Sequence, residues 1–168
     1  MDILQRIKLD IEDLKSYFQK LFDAIESSKE YSDSSHYKAY AKSDMLCNIY
    51  SCLEFWLTTI CEYKYSSLNL PLSYKDIKAK NDLACYQKFL EKVAGIDMSD
   101  SINDYNNLQN LRAVRNAIIH AGSHTEKEEI NNIRGIKLSG TLIIISDEFV
   151  FKSLKSAEVY LLSANNHV

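Results

Sequence analysis

The segment from Arg115 to His120 carries the side chains of this sequence that are best suited to chemistry. Its arginine keeps its charge at any ordinary pH and offers five N–H donors in a rigid plane. Its histidine can take up and release a proton near neutral pH. Asn116 stands between them in the sequence, next to the arginine. A fixed cation, an amide and an acid–base group therefore occur within six residues.

A helix around this segment must position these side chains. At about 100° per residue, one stripe is apolar and should face the core; it consists of Leu108, Leu111, Val114 and Ile118. Arg112, Asn116 and His120 follow one another at i, i+4 and i+8 on a separate polar stripe. Arg115 borders the apolar stripe and points about 140° away from His120. The two side chains therefore converge only if the arginine wraps around or a second subunit completes the site.

Glu54 is an acidic residue in an otherwise uncharged row of another predicted helix. The row has spacings of three and four residues and consists of Cys47, Tyr50, Glu54, Leu57 and Cys61. Since a guanidinium is costly to bury without a partner, Glu54 and Arg115 are predicted to pair within one chain. Such a pair is either part of a functional site or a structural ion pair that fixes how the two helices pack.

The two histidines near the end of this helix can also be explained without a function. A histidine in the last turn, such as His120, often caps the helix or is simply exposed. His124 follows Gly122 and Ser123 in a predicted loop and is expected to be exposed. Only the combination with Arg115 and Asn116 makes His120 a candidate for catalysis.

Length and composition predict one helical domain. A chain of 168 residues can bury a core without disulfides, and we treat residues 1–168 as a single domain. It contains 4 glycines and 1 proline, which favours long helices with few turns. The net charge of -3 argues against general coating of nucleic acid, because that affinity comes from many basic residues. A local phosphate site remains compatible with this charge.

The cysteines, histidines and N-terminus suggest a cytoplasmic protein without a metal or other cofactor. None of the four cysteines forms a Cys-x-x-Cys pair, and three lie in an apolar helical stretch. Residues 1–14 alternate charged and aliphatic side chains, unlike a signal peptide. The most apolar stretch, residues 45–61, is interrupted by polar side chains, so it favours a central bundle helix over a membrane span.

Hydrophobic spacing predicts an all-α protein, mainly, with one small β-hairpin before the C-terminal helix. Long helices are expected over residues 3–25 and 36–66, and shorter ones over 73–93 and 101–122. Ser73 and Ser101 are expected as helix caps, and Thr125 begins a possible capping box. Strands are expected over 136–138 and 141–145, followed by a last helix that Ser146 caps.

These residues resemble the HEPN family, whose signature is an Arg followed four to six residues later by His on a late helix. Arg115 and His120 match it, and residues 49–57 place Glu54 amid apolar residues, as many members of the family do. The likeness extends over essentially the whole chain, including the hairpin and final helix. It implies a HEPN-like up-and-down helical bundle.

The resemblance also implies a function. HEPN proteins of bacterial toxin–antitoxin and phage-defence systems are metal-independent endoribonucleases that act as homodimers and have antitoxin or other defence-system partners. By this likeness, His120 is the acid–base group, Arg115 holds the phosphate, Asn116 orients the cleft, and Glu54 positions Arg115. Arg112 and His124 would contact the RNA. Gly122 stands where some of these toxins carry a tyrosine that their antitoxin modifies, which puts such modification in doubt.

Two other functions are compatible with the same residues. One is a non-catalytic HEPN module that dimerises and binds RNA, a nucleotide or a protein. The other is a purely structural interaction protein in which Arg115, Glu54 and His120 form a buried polar network. Cleavage of RNA with and without EDTA distinguishes the nuclease from both.

Overall fold

The computed structural model describes residues 2–27 and 34–166, with side chains in the second range from residue 37 onward. Its helices are α1 (Ile3–Ser27), α2 (Ser34–Ser67), α3 (Asp82–Lys92), α4 (Ile102–Ala121), α5 (Glu128–Asn131) and α6 (Asp147–Ala164), and its strands are β1 (Ile136–Ser139) and β2 (Leu142–Ile145). Two 3₁₀ turns, Tyr74–Asp76 and Ser99–Ser101, precede α3 and α4. The expected mainly α-helical fold with one small hairpin is confirmed.

Helix α2 is the centre of the bundle and runs antiparallel to α1. The Trp56 indole donates to the Asp10 carboxylate at 2.9 Å, and Lys38 pairs with Glu26 at 2.7 Å. Residues late in one helix thus meet residues early in the other. The side chains of Leu53, Leu57 and Ile60 are fully buried at the middle of α2. The apolar stretch of α2 is therefore covered by the rest of the protein.

The other long helices complete an up-and-down arrangement. Helix α6 runs parallel to α2, because contacts link the starts of the two helices and also their ends: Lys42 with Asp147 and Lys64 with the backbone of Asn166. Helix α4 runs antiparallel to α6, as two contacts near its start show: Asn107 with Ser156 and Tyr105 with Tyr160. Helix α4 therefore lies antiparallel to α2, and the faces of these two helices meet.

The ends of α4 follow the prediction at one terminus only. Gly122 adopts a left-handed conformation (φ 59°), and its N–H donates to the carbonyl of Ala117, which ends the helix as expected. The capping role predicted for Ser101 is wrong. Ser101 belongs to the 3₁₀ turn that runs directly into α4, so its backbone is not extended and its buried hydroxyl donates to Met98 instead.

Two other predicted caps act differently from the expectation. Ser73 and Asp76 bond each other, but they close a 3₁₀ turn, and α3 starts later under the side chain of Asn81. Thr125 does not cap α5, because its hydroxyl accepts from the backbone N–H of Lys127, one residue before that helix. Because of these local hydrogen bonds, the helix predicted over residues 73–93 is replaced by a 3₁₀ turn and the shorter α3.

The hairpin lies against the end of α4. Strands β1 and β2 pair antiparallel, with Ile136 opposite Ile145. The free edge of β2 bonds to the chain that leaves α4, since Thr125 donates to Thr141 and Ile143 donates to Ser123. Beyond the hairpin, Ser146 caps α6 as predicted, because its side chain accepts a hydrogen bond from the backbone N–H of the third residue of the helix. These bonds hold the segment after His120 in a definite place.

No helix in residues 2–27 and 34–166 is both long enough and apolar enough to cross a membrane.

Candidate functional site

The side chain of Arg115 extends from α4 toward α2, and its guanidinium lies over the ring of Tyr50. The guanidinium carbon is 5.3 Å from the centroid of that ring, within the range of a cation–π interaction. One terminal nitrogen, Nη1, donates to Oδ1 of the neighbouring Asn116 at 3.2 Å. Tyr50 is only 2% exposed, so the packing of α2 fixes the platform under the arginine. The arginine is thus held by an aromatic face and an amide.

The Nε atom of Arg115 is a buried donor without a partner among the described residues. An unsatisfied buried donor costs about 1–3 kcal/mol, and native proteins contain few of them. Arg115 as a whole is half-buried, and within its guanidinium only Nε is both buried and without a partner among the described residues. An anion at this site would therefore meet the terminal N–H groups and not Nε.

Glu54 does not pair with Arg115 as predicted. The five salt bridges among the described side chains involve neither residue, so the prediction of a direct ion pair is wrong. Burial raises the pKa of the Glu54 carboxyl, and the nearby charge of Arg115 lowers it by less. The two groups therefore interact electrostatically without forming an ion pair. The Tyr50 ring occupies the place beneath the guanidinium that the carboxylate was expected to take.

We expect Glu54→Gln to stabilise the protein slightly at pH 7. Because the pKa of Glu54 is raised by folding, its ionisation disfavours the folded state above that pKa, and glutamine removes this cost. The gain should shrink as the pH falls toward about 4, where glutamate is protonated in the unfolded chain too. Urea unfolding at pH 7 and pH 4 measures the difference.

A matched control for this variant is Glu12→Gln, which removes one exposed carboxylate from α1. Its stability should stay within about 0.5 kcal/mol of the parent protein. A loss of roughly 3–5 kcal/mol in Glu54→Gln, as when a buried ion pair is broken, would show that Glu54 neutralises Arg115 after all.

Tyr50 stays a neutral phenol in this environment. Burial, together with the Glu54 carboxylate, raises its pKa to about 12 against the opposing effect of the Arg112 charge. At neutral pH its ring therefore presents the negative π-face of an uncharged phenol to Arg115. Tyr50 is the site residue whose role the sequence did not reveal, since it looked like one more apolar member of the Glu54 row. The charge of Asp82, at the start of α3, also acts on both Tyr50 and Glu54.

Arg112 and Asn116 lie on the half-buried flank of α4, as predicted from their spacing. The charge of Arg112 lowers the pKa of Glu54 and of Tyr50, so Arg112 lies near the same α2 face as Arg115. The site therefore collects two arginines around one tyrosine and one glutamate.

His120 lies in the last turn of α4 and is exposed, with no hydrogen-bond partner among the described residues. Its imidazole is thus free to meet a substrate or a second subunit. His124 is exposed too, but it is tied down. Its Nδ1 lies 2.8 Å from the Thr141 hydroxyl, and its backbone forms a bridge with Leu142. Of the two histidines, only His120 follows Arg115 on the same helix.

The cysteines are unpaired and distributed over the core and its edges. Cys61 is fully buried, and burial raises the pKa of its thiol to about 12, which disfavours the thiolate. Within the described part of the chain, no three His, Cys, Asp or Glu side chains come together as a metal site would require. His36 and His167 fall outside the described side chains.

A cavity of about 410 Å³ lies between α1 and α2. It is lined by Asp10, Asp13, Leu14, Tyr17, Cys52 and Phe55. It shares no residue with the candidate site, so we give it no part in the chemistry of Arg115.

In comparisons with known proteins, no protein-family model, curated protein or solved structure matches this chain.

Proposed function

We propose that this protein is a metal-independent endoribonuclease of the HEPN type. The observation that carries the proposal is Arg115: its guanidinium lies over the Tyr50 ring, and of its terminal N–H groups only one on Nη1 is used by the described residues, to Asn116. A phosphate oxygen is an acceptor that suits the remaining terminal N–H groups. His120 lies exposed on the same helix and provides a proton-transfer group.

The reaction needs only these side chains and the RNA. The 2′-OH of the RNA loses its proton to an imidazole, and its oxygen attacks the adjacent phosphorus. The bond from phosphorus to the 5′ oxygen breaks, and that oxygen receives a proton from an imidazole. The products are a 2′,3′-cyclic phosphate and a free 5′-OH. Arg115 would stabilise the negative charge that builds on the phosphate oxygens.

We propose that the active form is a homodimer. Arg115 packs on Tyr50 of α2, whereas His120 is exposed at the end of α4, and five residues of helix turn the two side chains about 140° apart. Ile119, next to His120, is 49% exposed and would add apolar area to an interface on this face. Light scattering at micromolar concentration should therefore give twice the mass of one chain, and a monomer would argue against a shared site.

Cleavage of a labelled RNA by the purified protein tests the function directly. We expect cleavage with or without EDTA, a 2′,3′-cyclic phosphate on the product, and resistance of a substrate that has 2′-deoxyribose at the cut. Cleavage that EDTA abolishes would exclude this mechanism. RNA binding without cleavage would favour the non-catalytic module.

By the same resemblance, we propose a role as a toxin or phage-defence effector with an antitoxin or another defence protein as partner. Gly122 lacks the hydroxyl that modification by some antitoxins would need. A partner of this protein would therefore inhibit it by binding.

A further inference from the structure

We infer that Tyr50 is the residue that positions Arg115, through a cation–π contact and without an ion pair. This inference rests on the proposed function for its kinetic consequence, but its structural part stands on the contacts of Arg115 alone. The guanidinium lies 5.3 Å above the Tyr50 ring, whereas none of its nitrogens lies within 4.0 Å of a carboxylate in the described part of the chain.

The choice of partner decides how many donors the arginine keeps. A carboxylate that pairs with a guanidinium accepts two of its N–H groups and cancels its charge. The contact with an aromatic face needs no acceptor atom, because the cation is attracted to the negative π-face. Within the described residues, only one of the five N–H groups of Arg115 is used, by Asn116. The other terminal N–H groups are therefore left for an anion, while Nε stays buried.

The contact with Tyr50 also fixes the direction of the side chain. Tyr50 is 2% exposed in the middle of α2, so the packed core holds its ring in place. A long arginine side chain that rests on this ring loses rotamer freedom before the substrate binds. The conformational entropy of the arginine side chain is then lost on folding and not on substrate binding, which is the advantage of a preorganised site.

The chain offers a closely matched pair of variants. Tyr50→Phe keeps the ring and removes a hydroxyl that makes no hydrogen bond with the described residues. Tyr50→Leu removes the π-face and keeps a side chain that can be buried. Tyr63→Leu, which removes a 50% exposed aromatic ring from the same helix, controls for general effects on α2.

NMR of the arginine Nε–H groups in the full chain tests the contact between Arg115 and Tyr50 without any substrate. The sequence contains four arginines, Arg6, Arg112, Arg115 and Arg134, so four signals need assignment. In the parent protein, the Arg115 signal should be shifted upfield by the Tyr50 ring current and should exchange slowly with water. Tyr50→Phe and Glu54→Gln should preserve both properties, and Tyr50→Leu should abolish them.

RNA cleavage by the same variants tests the positioning role. Tyr50→Leu should lower kcat on the order of tenfold and leave KM nearly unchanged, since a cation–π contact of this kind is lost and Arg115 acts mainly on the transition state. Tyr50→Phe should restore most of the rate that Tyr50→Leu loses, and the control Tyr63→Leu, outside the site, should retain the parent rate. A purely structural role would lower the melting temperature without this separation of kcat from KM.

The outcomes separate this inference from the proposed function. An Arg115 signal without an upfield shift in the parent protein would overturn the inference even if Tyr50→Leu fails to fold. Loss of the shifted signal in Glu54→Gln would also overturn it and would make Glu54 the positioning residue. If the parent protein shows the shifted signal but cleaves no RNA, the contact between Arg115 and Tyr50 is confirmed and the proposed ribonuclease function is wrong.

Discussion

Replacing His120 with alanine is expected to lower the rate of RNA cleavage on the order of a hundred-fold or more, the usual worth of one positioned acid–base group. His120 is exposed at the end of α4, and no described residue bonds to its ring. Its removal should therefore leave the fold nearly unchanged and remove the proton transfer. Single-turnover cleavage at saturating enzyme measures the chemical step, and circular dichroism checks the helices.

The matched control for this variant is His124→Ala. His124 is four residues away, equally exposed, and bonded to Thr141 at the side of the hairpin. We expect it to change the cleavage rate only mildly, because its imidazole is not on the helix that carries Arg115. A full parental rate in His120→Ala would show that this histidine does no acid–base work. A large loss in His124→Ala alone would transfer that role to His124.

Replacing Arg115 with alanine is expected to lower the cleavage rate on the order of a hundred- to a thousand-fold, the typical loss when a preorganised donor at a developing negative charge is removed. The free energy of unfolding should change much less than this effect on the rate. The substitution loses the contact with Tyr50, but it also removes a buried donor that has no partner in the described structure. Cleavage assays and urea unfolding of the same preparation measure the two effects.

Two further variants show whether the effect belongs to this arginine. Arg115→Lys keeps the charge but loses the flat, five-donor group, so we expect an intermediate rate. Arg134→Ala removes an exposed arginine whose only described salt bridge is to Glu148, and the parent rate should be retained. Equal losses in Arg115→Ala and Arg134→Ala would mean that arginine acts only through general attraction of RNA.

The sequence alone determined the elements of this protein well, because hydrophobic spacing depends on local geometry. The four long helices, the hairpin over residues 136–145 and the end of α4 at Gly122 were predictable from periodicity and from glycine conformation. The helix caps were less predictable. Ser101 has the right residue type for a cap, but the preceding 3₁₀ turn bonds its hydroxyl first. Competing local hydrogen bonds leave no mark on the spacing of apolar residues.

The candidate site was determined partly by the sequence and partly by the tertiary structure. The spacing of Arg112, Asn116 and His120 showed that they share one side of α4, and the position of Arg115 beside the apolar stripe predicted its partial burial. Which partner meets Arg115 depends on how far α4 is shifted along α2, and spacing within one helix carries no information on that shift. Tyr50 and Glu54 lie one turn apart on the same row. Only the packing of the two helices decided that the guanidinium lies on the tyrosine ring and makes no ion pair with the glutamate.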